Sequence, residues 1–205
     1  MKHMKINTKD TNFLYEIGCL RFVDRTWRQF HGLQIANVAE HHFRVAWITL
    51  FLAAREGIAD SGKALKMALA HDIAESRTGD VNYLSRQYTK RDEKLAIEDM
   101  LHDTIMQKEF LSLLEEYEAR QTLEAKIVKD ADNLDVELEL QEEKIRGHAA
   151  VKLLWNDSRE ENVYPKLYTE SARQFWKEIQ ASNPHDWHMN ARNRFVAGDW
   201  KSAHM

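Results

Sequence analysis

Two histidine–aspartate pairs stand out for the chemistry they permit. His71-Asp72 lies inside "MALAHDIAES", among the packing residues Met67, Leu69, Ala70 and Ile73. His185-Asp186 lies in "PHDWH", directly after Pro184. Imidazole and carboxylate together suit borderline or hard divalent ions, so each pair is a candidate half of a metal site. Successive positions on a helix point about 100° apart. A pair on one helix therefore needs donors from other helices to complete a shell.

Such donors exist for the first pair. His41 shares a helical face with Val45, Ile48 and Leu52, and that face should point inward. His42 lies on the next face, with Ala46 and Thr49, and is the weaker candidate. Asp132 sits in "AKIVKDADNLDVELEL", near Ile127, Val128, Leu134 and Val136. Asp130 and Asp135 are its rivals, and both are candidate surface positions. Glu75, three residues after Asp72, shares its face, and Asp80 follows Thr78-Gly79. So many carboxylates near one place call for a cation, a proton or an arginine. A plainer reading makes Glu75 and Asp80 a helix-end charge cluster paired with Arg77. "PHDWH" lacks an apolar helix around it and reads as turn or capping residues of a tail.

The elements that must position these residues are helical. Apolar periodicity predicts helices over 12–22, 38–56, 91–117, 122–145 and 169–182, and another through "KALKMALAHDIAES" with Ser61 as N-cap. Gly57 and Gly147 serve as stops. Only seven glycines and two prolines interrupt the chain, and alternating strand patterns are absent. The fold class is all-α, a compact helical bundle in a single domain over 1–205, with a core at about 12–145 and a helical extension and tail over 146–205. The charged run "EEYEARQTLEAK" reads as a solvated helical face.

Composition narrows the function classes. The net charge of −4 argues against a polymeric nucleic-acid binder, which needs a basic surface. It leaves a single nucleotide open, since one phosphate needs only a metal and one or two arginines. Cys19 is the only cysteine, so neither an intrachain disulfide nor a thiolate zinc site is expected, as suits a reducing cytoplasm. The stretch "VAWITLFLAA" is too short to span a bilayer, and the polar "MKHMKINTKD" has no signal-peptide core. A soluble cytoplasmic protein is expected.

The order His41, His71-Asp72, Asp132 resembles the H…HD…D signature of the HD-domain metal-dependent phosphohydrolases. "NVAEHHFRVAW" resembles the helix that supplies the first histidine, and its preceding acidic residue favours His41. "ALAHDIAESRTGD" resembles the HD helix of the 5′-deoxynucleotidase-like branch. "EAKIVKDADNLD" resembles the helix with the last aspartate and selects Asp132. The resemblance covers roughly 12–145. It implies one divalent ion (Mn²⁺, Co²⁺, Mg²⁺ or similar) held by His41, His71, Asp72 and Asp132. Dinuclear relatives insert two further histidines before the last aspartate; here only His102 lies in that interval. The branch also carries an arginine and a tryptophan upstream of the first histidine. "VDRTWRQF" supplies Trp27, with Arg25 preferred for the phosphate and Arg28 in reserve. Trp27 would pack on the sugar and disfavour a 2′-hydroxyl; it reads otherwise as plain core.

These resemblances imply a 5′-(deoxy)nucleotidase releasing phosphate from nucleoside monophosphates by metal-activated water. Glu75 would serve as general acid/base. Asp80 would orient the water, the arginine or the leaving oxygen. A nucleoside triphosphate triphosphohydrolase and a non-catalytic nucleotide-binding protein are the alternatives. A homodimer is the assembly the resemblance implies.

Overall fold

The computed structural model of the protein describes residues 7–31, 35–58, 60–148, 151 and 157–191. Helix α1 spans Thr8–Gly18 and runs into a 3-10 turn at Cys19–Phe22. Short α2 (Arg28–His31) precedes α3 (Val38–Arg55), α4 (Gly62–Ala70) and one-turn α5 (Glu75–Thr78). Then follow α6 (Glu93–Leu101), α7 (Gln107–Ala119), the long α8 (Leu123–Ile145), α9 (Asp157–Asn162), α10 (Glu170–Ala181) and short α11 (Asp186–Met189). No strand occurs among the described residues; Asp24 and Asn37 form one isolated bridge. The fold is all-α, as the periodicity implies.

Helices α3 and α8 are the central pair. Helix α4 crosses both, α7 lies beside α4 and α8, and α10 covers the rest of α8. Val45, Leu52, Met67, Ile127, Leu134 and Trp176 are fully enclosed between them. Burial of such side chains contributes about 1.5–3 kcal/mol each. A second apolar cluster joins Leu20, Val38, Ile73, Met100, Leu101 and Phe110. Helices α3 and α4 contribute to both clusters. His41 lies on α3 and His71 directly follows α4, so their backbones are fixed from two sides.

Caps account for where the elements begin. Asn37 and Glu40 form a capping box on α3, and Thr122 and Thr169 cap α8 and α10 through the N–H groups of Ala125 and Ala172. Gly57 and Gly147 take positive φ, 74° and 92°, just past their helices. Several features differ from the sequence reading. Helix α1 starts before residue 12, because Asn7 and Asp10 form their own capping box. Ser61 occupies the N-cap position of α4 without a side-chain bond; Asp60 accepts from the Gly62 N–H at 2.9 Å instead. The helix expected over 91–117 is broken between Leu101 and Gln107, where Asp103 takes φ 61°. Distant residues hold the break: Asn7 donates to the Asp103 carbonyl at 2.9 Å, and Asp10 accepts from Ile105 N–H at 2.8 Å. The part beyond 145 also packs into the core, since Ala172, Trp176 and Ile179 belong to the main apolar cluster.

Candidate metal centre

Helix α4 ends at Ala70, directly before the His-Asp pair. From there the backbone tightens to i→i−3 bonds: Ile73 N–H to Ala70, Glu75 N–H to Asp72 and Ser76 N–H to Ile73. The helix predicted to run unbroken through residue 76 is thus interrupted at 71–74. His71 is itself held there, because its Nδ1 lies 2.8 Å from the Ala68 carbonyl oxygen. That bond makes Nδ1 the protonated nitrogen and leaves the Nε2 lone pair free.

The Nε2 atoms of His71 and His41 approach to 3.3 Å. Asp132 Oδ1 lies 3.3 Å and Asp72 Oδ2 3.7 Å from His41 Nε2, while Asp72 Oδ2 lies 3.2 Å from His71 Nε2. One donor atom from each of His41, His71, Asp72 and Asp132 falls within 4.8 Å of the others. It is the only such group found among the described residues. Two imidazole nitrogens and two carboxylate oxygens facing one point fit a divalent cation. Burial and Arg25 oppose charge on His41, yet hydrogen bonds to Asp132 and Asp135 raise its pKa to about 9. Burial pushes Asp72 up, but His71 and then His41 hold it below the usual carboxylate range.

Residues outside the four complete the geometry. Asp135 Oδ2 lies 2.6 Å from His41 Nδ1, so His41 also turns its Nε2 inward. Arg44 braces Asp135 from the other side and extends to Glu142 at 2.8 Å. Both rivals of Asp132 are buried rather than at the surface. Asp130 accepts from the N–H groups of Tyr168 and Thr169 and from the Thr169 hydroxyl, all at 2.8 Å, so it ties α8 to the start of α10. Lys129 Nζ holds the second oxygen of Asp132 at 2.7 Å. His42 is buried but outside the set; its ring packs 4.6 Å from that of His71. Burial, then His71, keeps His42 neutral by holding its pKa well below the ordinary value.

Arg25 is buried beside this cluster, 3.8 Å from Asp72 and 3.7 Å from Asp80. Burial opposes its charge, but Asp80, Asp132, Asp72 and Glu75 outweigh that and raise its pKa further. Asp80 also accepts from the Thr26 N–H at 2.9 Å, fixing the loop that carries Arg25. Trp27 lies two residues on, half-buried. Arg28 instead pairs with Asp24 at the surface, at 2.6 Å. Arg77 pairs with Glu16 and Asp99, not with Glu75 or Asp80, so the helix-end charge cluster does not form. His102 is exposed and pairs with Asp103. His185 and Asp186 are exposed and open the short α11, and the rest of the tail from 192 lies outside the described residues.

Glu75 is 6% exposed, and its Oε2 has no hydrogen-bond partner. Burial, then the charges of Asp72 and Asp80, raise its pKa far above the ordinary 4.5. With His71 and Asp72 it lines a cavity of about 430 Å³ whose apolar wall is Ile97, Leu111 and Leu114. A protonatable carboxyl and two of the four converging donors, His71 and Asp72, therefore share one opening.

The family described as HD domain matches residues 17–182. The chain belongs to the HD domain family. The match reaches past residue 145 and takes in α10, in keeping with that helix's place in the core. The zebrafish (Danio rerio) protein 5′-deoxynucleotidase HDDC2 is 32% identical over 142 residues, spanning 66% of this chain and 70% of its own. The 5′-deoxynucleotidase YfbR of Escherichia coli O127:H6 is 30% identical over 155 residues, spanning 68% and 76%. The solved structure of a conserved hypothetical protein from Pyrococcus furiosus is 29% identical with a TM-score of 0.68, covering 84% of this chain and 99% of its own. Asp135 is the member of this HD domain site that periodicity left undecided. The signal for it was its position three residues after Asp132, one turn along the same face.

Proposed function

We propose that this HD domain protein is a metal-dependent 5′-deoxynucleotidase that hydrolyses nucleoside 5′-monophosphates to nucleoside and phosphate. The observation that carries the reading is the convergence of His41, His71, Asp72 and Asp132 within 4.8 Å beside a buried arginine and an unpartnered carboxyl. Kinship to two 5′-deoxynucleotidases at 30–32% identity supports the substrate class. His41, His71, Asp72 and Asp132 would hold a divalent cation (Mn²⁺, Co²⁺, Mg²⁺ or similar), which would supply Lewis acidity toward a phosphate oxygen and lower the pKa of a water. The chain supplies the rest. Arg25 neutralises charge on the phosphoryl oxygens with a planar pair of donors. Asp80 holds Arg25 and its loop in position. Glu75, kept protonated by burial, moves a proton to or from the reacting oxygens. Trp27 packs against the sugar and favours its 2′-deoxy form. The test is a product screen across nucleotide substrates, with Asp72→Ala as control.

The triphosphohydrolase alternative has less support. Beyond the apolar wall the cavity carries Glu93, Glu98, Glu115 and Glu118 against the single cation Lys94. Such a lining repels a polyphosphate chain.

Asp135 is assigned to hold His41 in the ligating tautomer. Asp135→Ala is expected to weaken divalent-ion binding about 10- to 100-fold, measured by titration calorimetry on folded protein. Unchanged affinity would remove Asp135 from the site.

We further propose a cytoplasmic homodimer. No helix among the described residues is long and apolar enough to cross a membrane. Helix α3 turns Phe43, Trp47 and Phe51 outward at four-residue spacing, all more than half exposed. This stripe continues into an apolar groove with Leu138, Phe175 and Ile179. A second copy related by two-fold symmetry would cover it. Trp47→Glu is expected to halve the sedimenting mass; an unchanged mass would place any dimer contact elsewhere.

A further inference from the structure

The cavity beside the candidate metal centre is lined from two sides. The turn after α4 and the start of α5 bring His71, Asp72 and Glu75, and Glu75 is 6% exposed with an Oε2 that has no hydrogen-bond partner. Helices α6 and α7 bring the apolar wall of Ile97, Leu111 and Leu114. The volume of about 430 Å³ falls within the range of small-molecule sites, about 300–1,000 Å³. Such sites join apolar walls to a few placed polar groups that choose the ligand. The same two helices bring four glutamates, and three of them are engaged. Glu93 pairs with Arg91 at 2.6 Å, Glu98 with Lys94 at 3.9 Å and Glu118 with Arg120 at 3.7 Å. Lys94, the one cation of the lining, has an 81% exposed side chain. Glu115 has neither an ion pair nor a hydrogen bond among the described residues. It follows Leu111 by four positions on α7, so it lies one turn further along the face that forms the wall.

We propose that this cavity holds the nucleobase and that Glu115 reads its edge, selecting bases with an exocyclic amine over bases with a carbonyl in that place. This rests on the nucleotidase reading and names its preferred substrates. The phosphate belongs with the metal-ligand cluster, which opens on the cavity through His71 and Asp72. The base extends from there along Ile97, Leu111 and Leu114. Apolar side chains cover its ring faces and leave its polar edge to the glutamates. A carboxylate offers acceptors only. It takes an N–H of the cytosine or adenine amine in a charge-assisted hydrogen bond. Against the O4 carbonyl of uracil or thymine it meets a second acceptor, and neither group is satisfied. Glu93, Glu98 and Glu118 already face cations, so Glu115 is the residue that determines specificity.

The test compares 5′-dCMP with 5′-dUMP, whose bases match in size and differ on this edge. Binding is measured by calorimetry on the metal-loaded Glu75→Gln protein, where turnover does not interfere. 5′-dCMP is expected to bind about tenfold more tightly than 5′-dUMP. Glu115→Gln in that background is expected to abolish or reverse the preference, because the glutamine amide can donate to O4. Glu115 is exposed and unpaired, so the substitution should leave the thermal midpoint unchanged. Glu93→Gln, at a carboxylate already held by Arg91, is expected to keep the preference. Equal affinities in the parent, a preference that survives Glu115→Gln, or one that Glu93→Gln removes would each overturn the proposal. Absence of binding by both nucleotides overturns it as well. If wild-type protein shows the Glu115-dependent preference but hydrolyses neither nucleotide, the nucleotidase reading fails while the base contact stands. If it hydrolyses both and binds them equally, the nucleotidase reading stands and the base contact fails.

Discussion

Asp72→Ala is expected to leave a folded protein that neither binds a divalent cation nor hydrolyses substrate. Asp72 contributes its Oδ2 to both histidines at once, at 3.2 Å and 3.7 Å, and also faces Arg25 at 3.8 Å. Alanine removes a ligand, the balancing charge for Arg25 and one wall of the cavity together. Loss of a ligand weakens metal binding by more than the roughly 10- to 100-fold typical of an outer partner. The fold should survive because Asp72 is not part of either apolar cluster and the helices beside it are packed independently. The measurement pairs metal titration with circular dichroism. Native metal affinity in a folded Asp72→Ala protein would contradict the ligand assignment.

Glu75→Gln is expected to retain the metal and lose turnover, by about 10²- to 10⁴-fold in kcat. Glutamine keeps the shape of the carboxyl but can neither give nor accept the proton. The same substitution has a predicted effect on stability of the metal-free protein. The Glu75 pKa is raised above 4.5 by burial and by Asp72 and Asp80. Below pH 4.5 the carboxyl is protonated in both folded and unfolded chains, and the two proteins should be alike. As pH rises above 4.5 the unfolded chain releases the proton while the folded one keeps it, so the wild type loses stability until pH passes the raised value. Glu75→Gln escapes that loss. Its thermal midpoint should therefore exceed that of the wild type by a margin that grows from pH 5 to pH 8. A margin that shrinks with pH, or full turnover in the variant, would remove Glu75 from its role.

Much of the helical frame was legible because it is encoded locally. The caps at Thr122 and Thr169 and the stops at Gly57 and Gly147 are short-range signals, and the helices begin and end at them. The four converging donors were legible from their spacing together with the family signature. What sequence did not yield depends on distant partners. The break between Leu101 and Gln107 is held by Asn7 and Asp10, nearly a hundred residues away. Asp130 and Asp135 read as surface positions because α8 is assumed to have one outer face. In fact α3, α4, α7 and α10 pack around it, so polar residues on several faces are buried and must be paired. The choice between Arg25 and Arg28 turned on the loop's path, which Asp80 fixes through Thr26. The charged run over 115–126 read as a solvated face, but Tyr117 within it is buried against His71, a contact that only the three-dimensional packing creates.

The most direct test of the 5′-deoxynucleotidase activity is a product screen of the metal-loaded protein against ribo- and deoxynucleoside mono-, di- and triphosphates. Inorganic phosphate and free nucleoside are expected from 5′-monophosphates, with 5′-deoxynucleotides preferred and no product from Asp72→Ala. Tripolyphosphate released from triphosphates, or no product from any monophosphate with any divalent ion, would contradict it.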